Sequence, residues 1–338
     1  MPQALTLTTE LETISQNLID AFDLKFEEED QNLMDPIIRW LDYRLRYIDP
    51  RPRKIMKSDG FDARIPIEAL PVLKAFIKLV KTGKNLNAFQ TETIKRNDTS
   101  GTKRQLRTDG LWADWGIHHV HLTDVPLKSG KEFSARSDWL LFFLVTDNHL
   151  ALIDVRPHGE QGVFQANDLV EKMIRSWPQI TKRFELKGVL GLARSPSTDA
   201  NSIKDLRMGG VTQMIEVDGK VYCPPGYGVT TAATSTKVSL ARLQVRRNVE
   251  SILDFYNMPE GQIMKAASLK GVTNPVLSFT LSSAGRLAIS CSETGENIPF
   301  PSRPIQGDAR SELEYLLLPQ WAGLKLFKYL STRPDSEL

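Results

Sequence analysis

Apolar residues in the first hundred positions recur every three to four residues. Leu11, Ile14, Leu18, Ile19 and Phe22 do so after Thr8-Thr9-Glu10, which offers a cap, and Leu33, Ile37, Ile38, Trp40, Leu41 and Leu45 repeat the pattern over 31–47. Both spacings predict amphipathic helices. Asp49-Pro50-Arg51-Pro52-Arg53 ends the second, because proline lacks the amide a helix needs and clashes with the preceding turn. A third helix is predicted over 66–82, closed at Thr82-Gly83, where glycine accepts the left-handed backbone of a helix end. Residues 94–104 are polar and basic without a period and read as a loop or linker.

The period then changes. Residues 116–123 read as a strand, and 138–146, Asp-Trp-Leu-Leu-Phe-Phe-Leu-Val-Thr, form the near-continuous apolar run of a strand covered on both faces. Asp147-Asn148 makes a tight turn into a return strand at 149–156, which gives an antiparallel meander. A helix follows from Asn167 to Arg175, ending near Trp177-Pro178. Further on come a hairpin over 211–223 about Asp218-Gly219, a helix at 237–257, a hairpin over 276–291 through Ser283-Ala284-Gly285, and one last helix from Ser311 to Tyr329. The predicted class is α+β in three parts: a helical region 1–104, a small sheet domain 105–200 and a mixed α+β domain 205–338.

Composition changes the picture little. The chain has 338 residues, 41% hydrophobic and 25% charged, with no apolar run long enough to span a bilayer. The N-terminus lacks the basic and apolar regions of a secretory signal. Cys223 and Cys291, far apart, offer no disulfide scaffold and fit a reducing cytoplasm. Charge is informative. Residues 1–35 carry nine acidic side chains and one basic, including Glu27-Glu28-Glu29-Asp30, whereas 39–57 carry seven basic and two acidic, and 74–107 nine basic and two acidic. The basic stretches suit a polyanion such as RNA. The acidic start either folds back on them or, from Thr8 to Asp23, packs as an ordinary helix.

All five histidines fall between His118 and His158, three of them in His118-His119-Val120-His121. Side chains alternate along a strand, so His119 and His121 share a face with Ile117, and His118 points the other way with Val120 and Leu122 in a structural role. Two chemistries use such a pair. One is a metal site, with Asp154 or His158 as third ligand. The other is acid–base cleavage of an RNA phosphodiester, in which one group takes the 2′-hydroxyl proton, another protonates the departing 5′-oxygen, and a cation offsets the charge on phosphorus. His119, His121, Arg136 and His158 are the catalytic candidates. Arg156, Trp115, Lys103 and Arg104 are candidates for holding the substrate. This chemistry needs no metal and no cofactor. Trp112 and Trp115 stack on bases or fill the core, and the sheet as a non-catalytic interaction module is a further reading.

Gly116-Ile117-His118-His119-Val120-His121-Leu122, Ala135-Arg136-Ser137-Asp138, Thr146-Asp147-Asn148 and Leu152-Ile153-Asp154-Val155-Arg156-Pro157-His158 together resemble the core of the RelE/ParE-type toxins, over residues 112–165. That core has a strand with alternating basic residues, a strand opened by arginine, a tight turn, and a final strand ending near a basic residue. By position, His119 and His121 match the alternating pair, which in the family is usually Lys or Arg. Arg136 matches the opening arginine, and His158 the residue past the last strand. The resemblance implies metal-independent cleavage of RNA, often messenger RNA on the ribosome, by 2′-hydroxyl attack. By the same resemblance, the expected protein is a toxin or phage-defence effector acting in the cytoplasm on RNA, with an inhibitory or sensor protein as a partner.

Overall fold

The computed structural model describes residues 3–26, 34–96, 109–165, 167–188, 200–208, 211–230 and 234–332. In chain order the main elements begin with α1 (Gln3–Ala21), α2 (Pro36–Arg46), β1 (Lys54–Lys57), α3 (Leu70–Thr82), α4 (Gly110–Trp115), β2 (Ile117–His121) and α5 (Val125–Ser129). There follow β3 (Trp139–Val145), β4 (His149–Pro157), α6 (Asn167–Ser176), α7 (Pro178–Thr181), α8 (Ala200–Met208), β5 (Ile215–Val217) and β6 (Lys220–Tyr222). The last elements are α9 (Thr236–Tyr256), α10 (Gln262–Leu269), β7 (Ser278–Leu281), β8 (Leu287–Cys291), β9 (Glu296–Pro299), α11 (Ala309–Leu317) and α12 (Gln320–Leu330). The class is α+β, as the pattern predicts. Among the described residues no helix is long and apolar enough to cross a membrane.

The described chain forms two compact units, 46–237 and a discontinuous one made of 1–45 with 238–338. The linear division at 104 and 205 cuts across both. Within the discontinuous unit, α1 buries Leu7, Leu11, Leu18 and Ile19. Phe22, Trp40, Tyr43 and Trp321 pack as an aromatic cluster with centroids 5.3–6.2 Å apart. Thr8 to Ala21 is therefore ordinary packed helix, while the run Glu27-Glu28-Glu29-Asp30 lies outside the described residues. The helix begins at Gln3, ahead of the expected cap at Thr8. The last predicted helix is two, broken where Leu318 leaves helical geometry (φ −133°, ψ 60°) before Pro319.

The other unit is built on a four-stranded sheet in the order β1-β4-β3-β2. The meander β2-β3-β4 is antiparallel, and β1 joins β4 in parallel, Lys54 opposite His149. β1 was not predicted: it is four residues with a lysine at each end, which is the chemistry of a protected edge rather than an alternating strand. β3 is apolar throughout because both its faces are covered. Leu140 and Phe142 join Leu111, Trp115, Ile117 and the buried face of α6. Leu141 and Phe143 join Val120, Leu122 and, from α3 and its flanks, Phe61, Leu73, Phe76 and Phe89. Each such ring or leucine withdrawn from water contributes roughly 1.5–3 kcal/mol. A bulge between Phe142 and Phe143, against Asp154 and Leu152, lets Ile153 keep to the α6 side.

β2, last in the sheet order, carries the histidines. It is launched by α4 through Gly116, whose φ of 72° favours glycine and whose amide donates to the Trp112 carbonyl at 2.9 Å. α4 is anchored from outside: Arg207 Nε lies 2.5 Å from Asp114 Oδ2, and Lys237 Nζ donates to the Trp112 carbonyl at 2.9 Å.

Candidate functional site

A cleft of about 580 Å³ opens along β2, of the size that holds a small ligand. Its walls include His118, His119, His121, Arg136 and His158. The predicted catalytic residues thus meet in one place.

His119 is fixed from α4. Asp109 caps that helix, its Oδ1 accepting from the Leu111 amide at 2.9 Å and the Trp112 amide at 3.2 Å. Its other oxygen lies 2.9 Å from Nδ1 of His119. The approach is close, although the geometry is not that of a well-aligned hydrogen bond. Burial works to raise the pKa of Asp109, but His119 and the two amides outweigh it and hold the carboxyl below its ordinary value. The His119 ring packs against Phe164 at 4.9 Å in a T-shaped pair and tilted against Phe142 at 6.0 Å; with Nδ1 taken up by Asp109, Nε2 is the nitrogen that remains.

His121 is buried and held differently. Its Nδ1 accepts from the Ser137 amide at 3.3 Å, which selects the neutral tautomer with the proton on Nε2. Burial first, then the charges of His119, His158 and Arg136, push its pKa down to about 4. At neutral pH it is an uncharged donor. Its ring lies 5.1 Å from that of His158. His158 follows β4 directly, and its amide donates to the Asp138 carbonyl at 2.8 Å. That bond closes the open end of the β3–β4 hairpin and sets His158 beside Arg136. Both also line a second, more open groove of about 400 Å³.

The structure places the predicted substrate-binding residues elsewhere. Arg156 is absent from the cleft walls: it reaches Asp154 at 2.8 Å, Glu160 at 3.0 Å and Asp168. Ringed by carboxylates, it ties β4 to α6 rather than presenting a free charge. Trp115 is core, 6% exposed; Trp112 is the tryptophan on the cleft. Lys103 and Arg104 lie outside the described residues. Asp154, considered as a metal ligand, is held by Arg64 at 3.1 Å and Lys172 at 2.7 Å as well as by Arg156. Among the described residues no group of three or more His, Cys, Asp or Glu is arranged to hold a metal ion. Cys223 and Cys291 are free thiols.

Two residues of the cleft escaped sequence reasoning. Asp109 was legible only as the cap of a six-residue helix that periodicity does not detect. His118 does face the other side of the sheet, its ring stacked on Phe143 at 5.9 Å and T-shaped to Trp112 at 6.3 Å, yet it lines the same cleft. Burial, with Lys237 and other nearby cations, pushes its pKa down to about 3. Comparison of the chain with family models, with curated proteins and with solved structures finds no match.

Proposed function

We propose that this protein is a metal-independent endoribonuclease that cleaves RNA by attack of a 2′-hydroxyl on the adjacent phosphorus. The observation that carries the reading is the convergence of a carboxylate-paired His119, a second half-buried imidazole at His158, a neutral donor at His121 and the Arg136 cation on one cleft. In this scheme Nε2 of His119 takes the 2′-hydroxyl proton, and Asp109 stabilises the imidazolium that forms. The 2′-oxygen bonds to phosphorus as the bond to the 5′-oxygen breaks. His158, as the general acid, gives a proton to that departing oxygen. His121 Nε2–H and Arg136 hold the non-bridging oxygens as negative charge grows on them. RNA carries its own nucleophile, so the chain needs to supply only acid, base and charge. A toxin or phage-defence role, and a cytoplasmic setting, follow from the likeness of residues 112–165 to RelE/ParE-type cores.

The test is incubation with RNA and with DNA of the same sequence in excess EDTA. The scheme predicts cleavage of RNA alone, reduced about 10²–10⁴-fold in His119→Ala. Activity that vanishes in EDTA and returns with zinc or manganese overturns it.

A further inference from the structure

β2 ends the sheet order β1-β4-β3-β2, and the cleft wraps around it. Its wall therefore draws residues from both faces of the sheet. His119 and His121 pair with Phe142 and Leu140, on the α6 side; His118 pairs with Phe143, on the α3 side. The α6 side holds the groups with proton-transfer and charge chemistry. The α3 side also carries charge, but it is engaged within the chain: Arg46 donates to the Ile94 and Arg96 carbonyls at 3.4 Å, and Arg96 lies 3.9 Å from Glu92. Beside these its wall includes His118, Gln90, Thr91 and Thr93, with Trp112 at the junction.

The donors and acceptors of this second half can be assigned. The nitrogen of Gln90 donates to the Arg46 carbonyl at 3.3 Å and to Asn87 Oδ1 at 2.8 Å. Both partners are acceptors, so the amide orientation is forced, and Oε1 is the acceptor-only end of a side chain that lines the cleft. Thr91 and Thr93 share a hydrogen bond between hydroxyls. The His118 ring stays uncharged at any physiological pH and stands as a flat aromatic wall. A flat ring and an acceptor-only group match the face and edge of a nucleobase.

We infer that the α3-side half of the cleft is a base-recognition pocket, in which His118 flanks the ring of a nucleobase and Gln90 Oε1 accepts from its exocyclic amino group. Adenine and cytosine, which carry that group, are favoured over uracil. His118 is then a specificity residue rather than part of the β2 acid–base pair. The inference rests on the endoribonuclease reading for its substrate but makes a separate claim about selectivity.

The experiment measures kcat/KM on poly(A), poly(C) and poly(U) in EDTA for the wild type, Gln90→Leu and His118→Leu. Leucine keeps an apolar side chain against Phe143 but removes the flat ring, and melting temperatures confirm that each variant folds. The wild type is expected to cleave poly(A) or poly(C) faster than poly(U). That ratio should shrink roughly three- to tenfold in each variant, the worth of one hydrogen bond or its supporting wall. A wild-type preference for poly(U), or a ratio unchanged within twofold in both variants, overturns the pocket while leaving the catalytic reading standing. If no RNA is cut, the catalytic reading falls, and titration of the nucleoside 3′-monophosphates against tryptophan fluorescence decides the pocket. Tighter binding of the adenosine or cytidine compound, lost in both variants, supports it; equal or absent binding overturns it.

Discussion

Asp109→Asn separates the two tasks of one side chain. Asp109 caps α4 through Oδ1 and faces His119 Nδ1 through Oδ2 at 2.9 Å. Asparagine caps a helix about as well as aspartate, so the fold should lose only a few tenths of a kcal/mol. The charge is lost entirely. Two unit charges about 4 Å apart in a protein surface site attract by roughly 4 kcal/mol, and solvent reduces this further. His119 and Asp109 are 24% and 17% exposed, so a loss of roughly 2–4 kcal/mol in stabilising the imidazolium is expected, a rate decrease of roughly 30- to 1000-fold. The assay is steady-state RNA cleavage at neutral pH with a parallel melting curve. The decrease should lie in kcat, with KM nearly unchanged, because the pair acts when His119 becomes charged. Asp109→Ala removes the cap as well and should cost a further 0.5–2 kcal/mol or about that of stability. A wild-type kcat in Asp109→Asn would refute the assignment of His119 as base.

Other perturbations follow from the same geometry. His158→Ala should lower kcat by roughly 10²–10⁴-fold, and Arg136→Lys should fall clearly below wild type because an ammonium cannot grip two phosphate oxygens at once; full activity in either removes that residue from the site. His118 and His121, with pKa values lowered to about 3 and about 4, are neutral in the fold but protonate in the unfolded chain below about pH 6.5. Stability present above pH 6.5 is therefore lost as pH falls toward those values, by at most about 2 kcal/mol per histidine at pH 5, and His118→Phe should flatten the pH dependence seen by chemical denaturation. Arg156→Ala should cost about 1–3 kcal/mol of stability, because it leaves the 3%-exposed Asp154 carboxylate with fewer partners, while cleavage per folded molecule is unchanged; a selective loss of RNA binding would return Arg156 to the site.

Local signals carried much of this fold. The apolar run 138–146 with Asp147-Asn148 sufficed for the β3–β4 hairpin, and alternation along β2 correctly separated His118 from His119 and His121. The hairpin also explains why Arg136 and His158, distant in sequence, line one cavity. What failed was non-local. β1 reaches the sheet by parallel pairing with a strand nearly a hundred residues on, which no local period records. Arg156 is a basic residue in a promising place, and only the packing of α6 brings Asp168 and Lys172 to it and to Asp154. His118 was set aside because alternation says which face a side chain takes, not that a cleft wraps around the strand and makes both faces one wall.

The central claim is attack by the 2′-hydroxyl, and the ends left on the RNA report it most directly. A defined oligoribonucleotide, cleaved in EDTA, should yield 2′,3′-cyclic phosphate or 3′-phosphate on one fragment and 5′-hydroxyl on the other. A single 2′-deoxy sugar at the cleaved position should abolish the cut. Products bearing 5′-phosphate and 3′-hydroxyl, or cleavage that survives the 2′-deoxy substitution, would contradict the account.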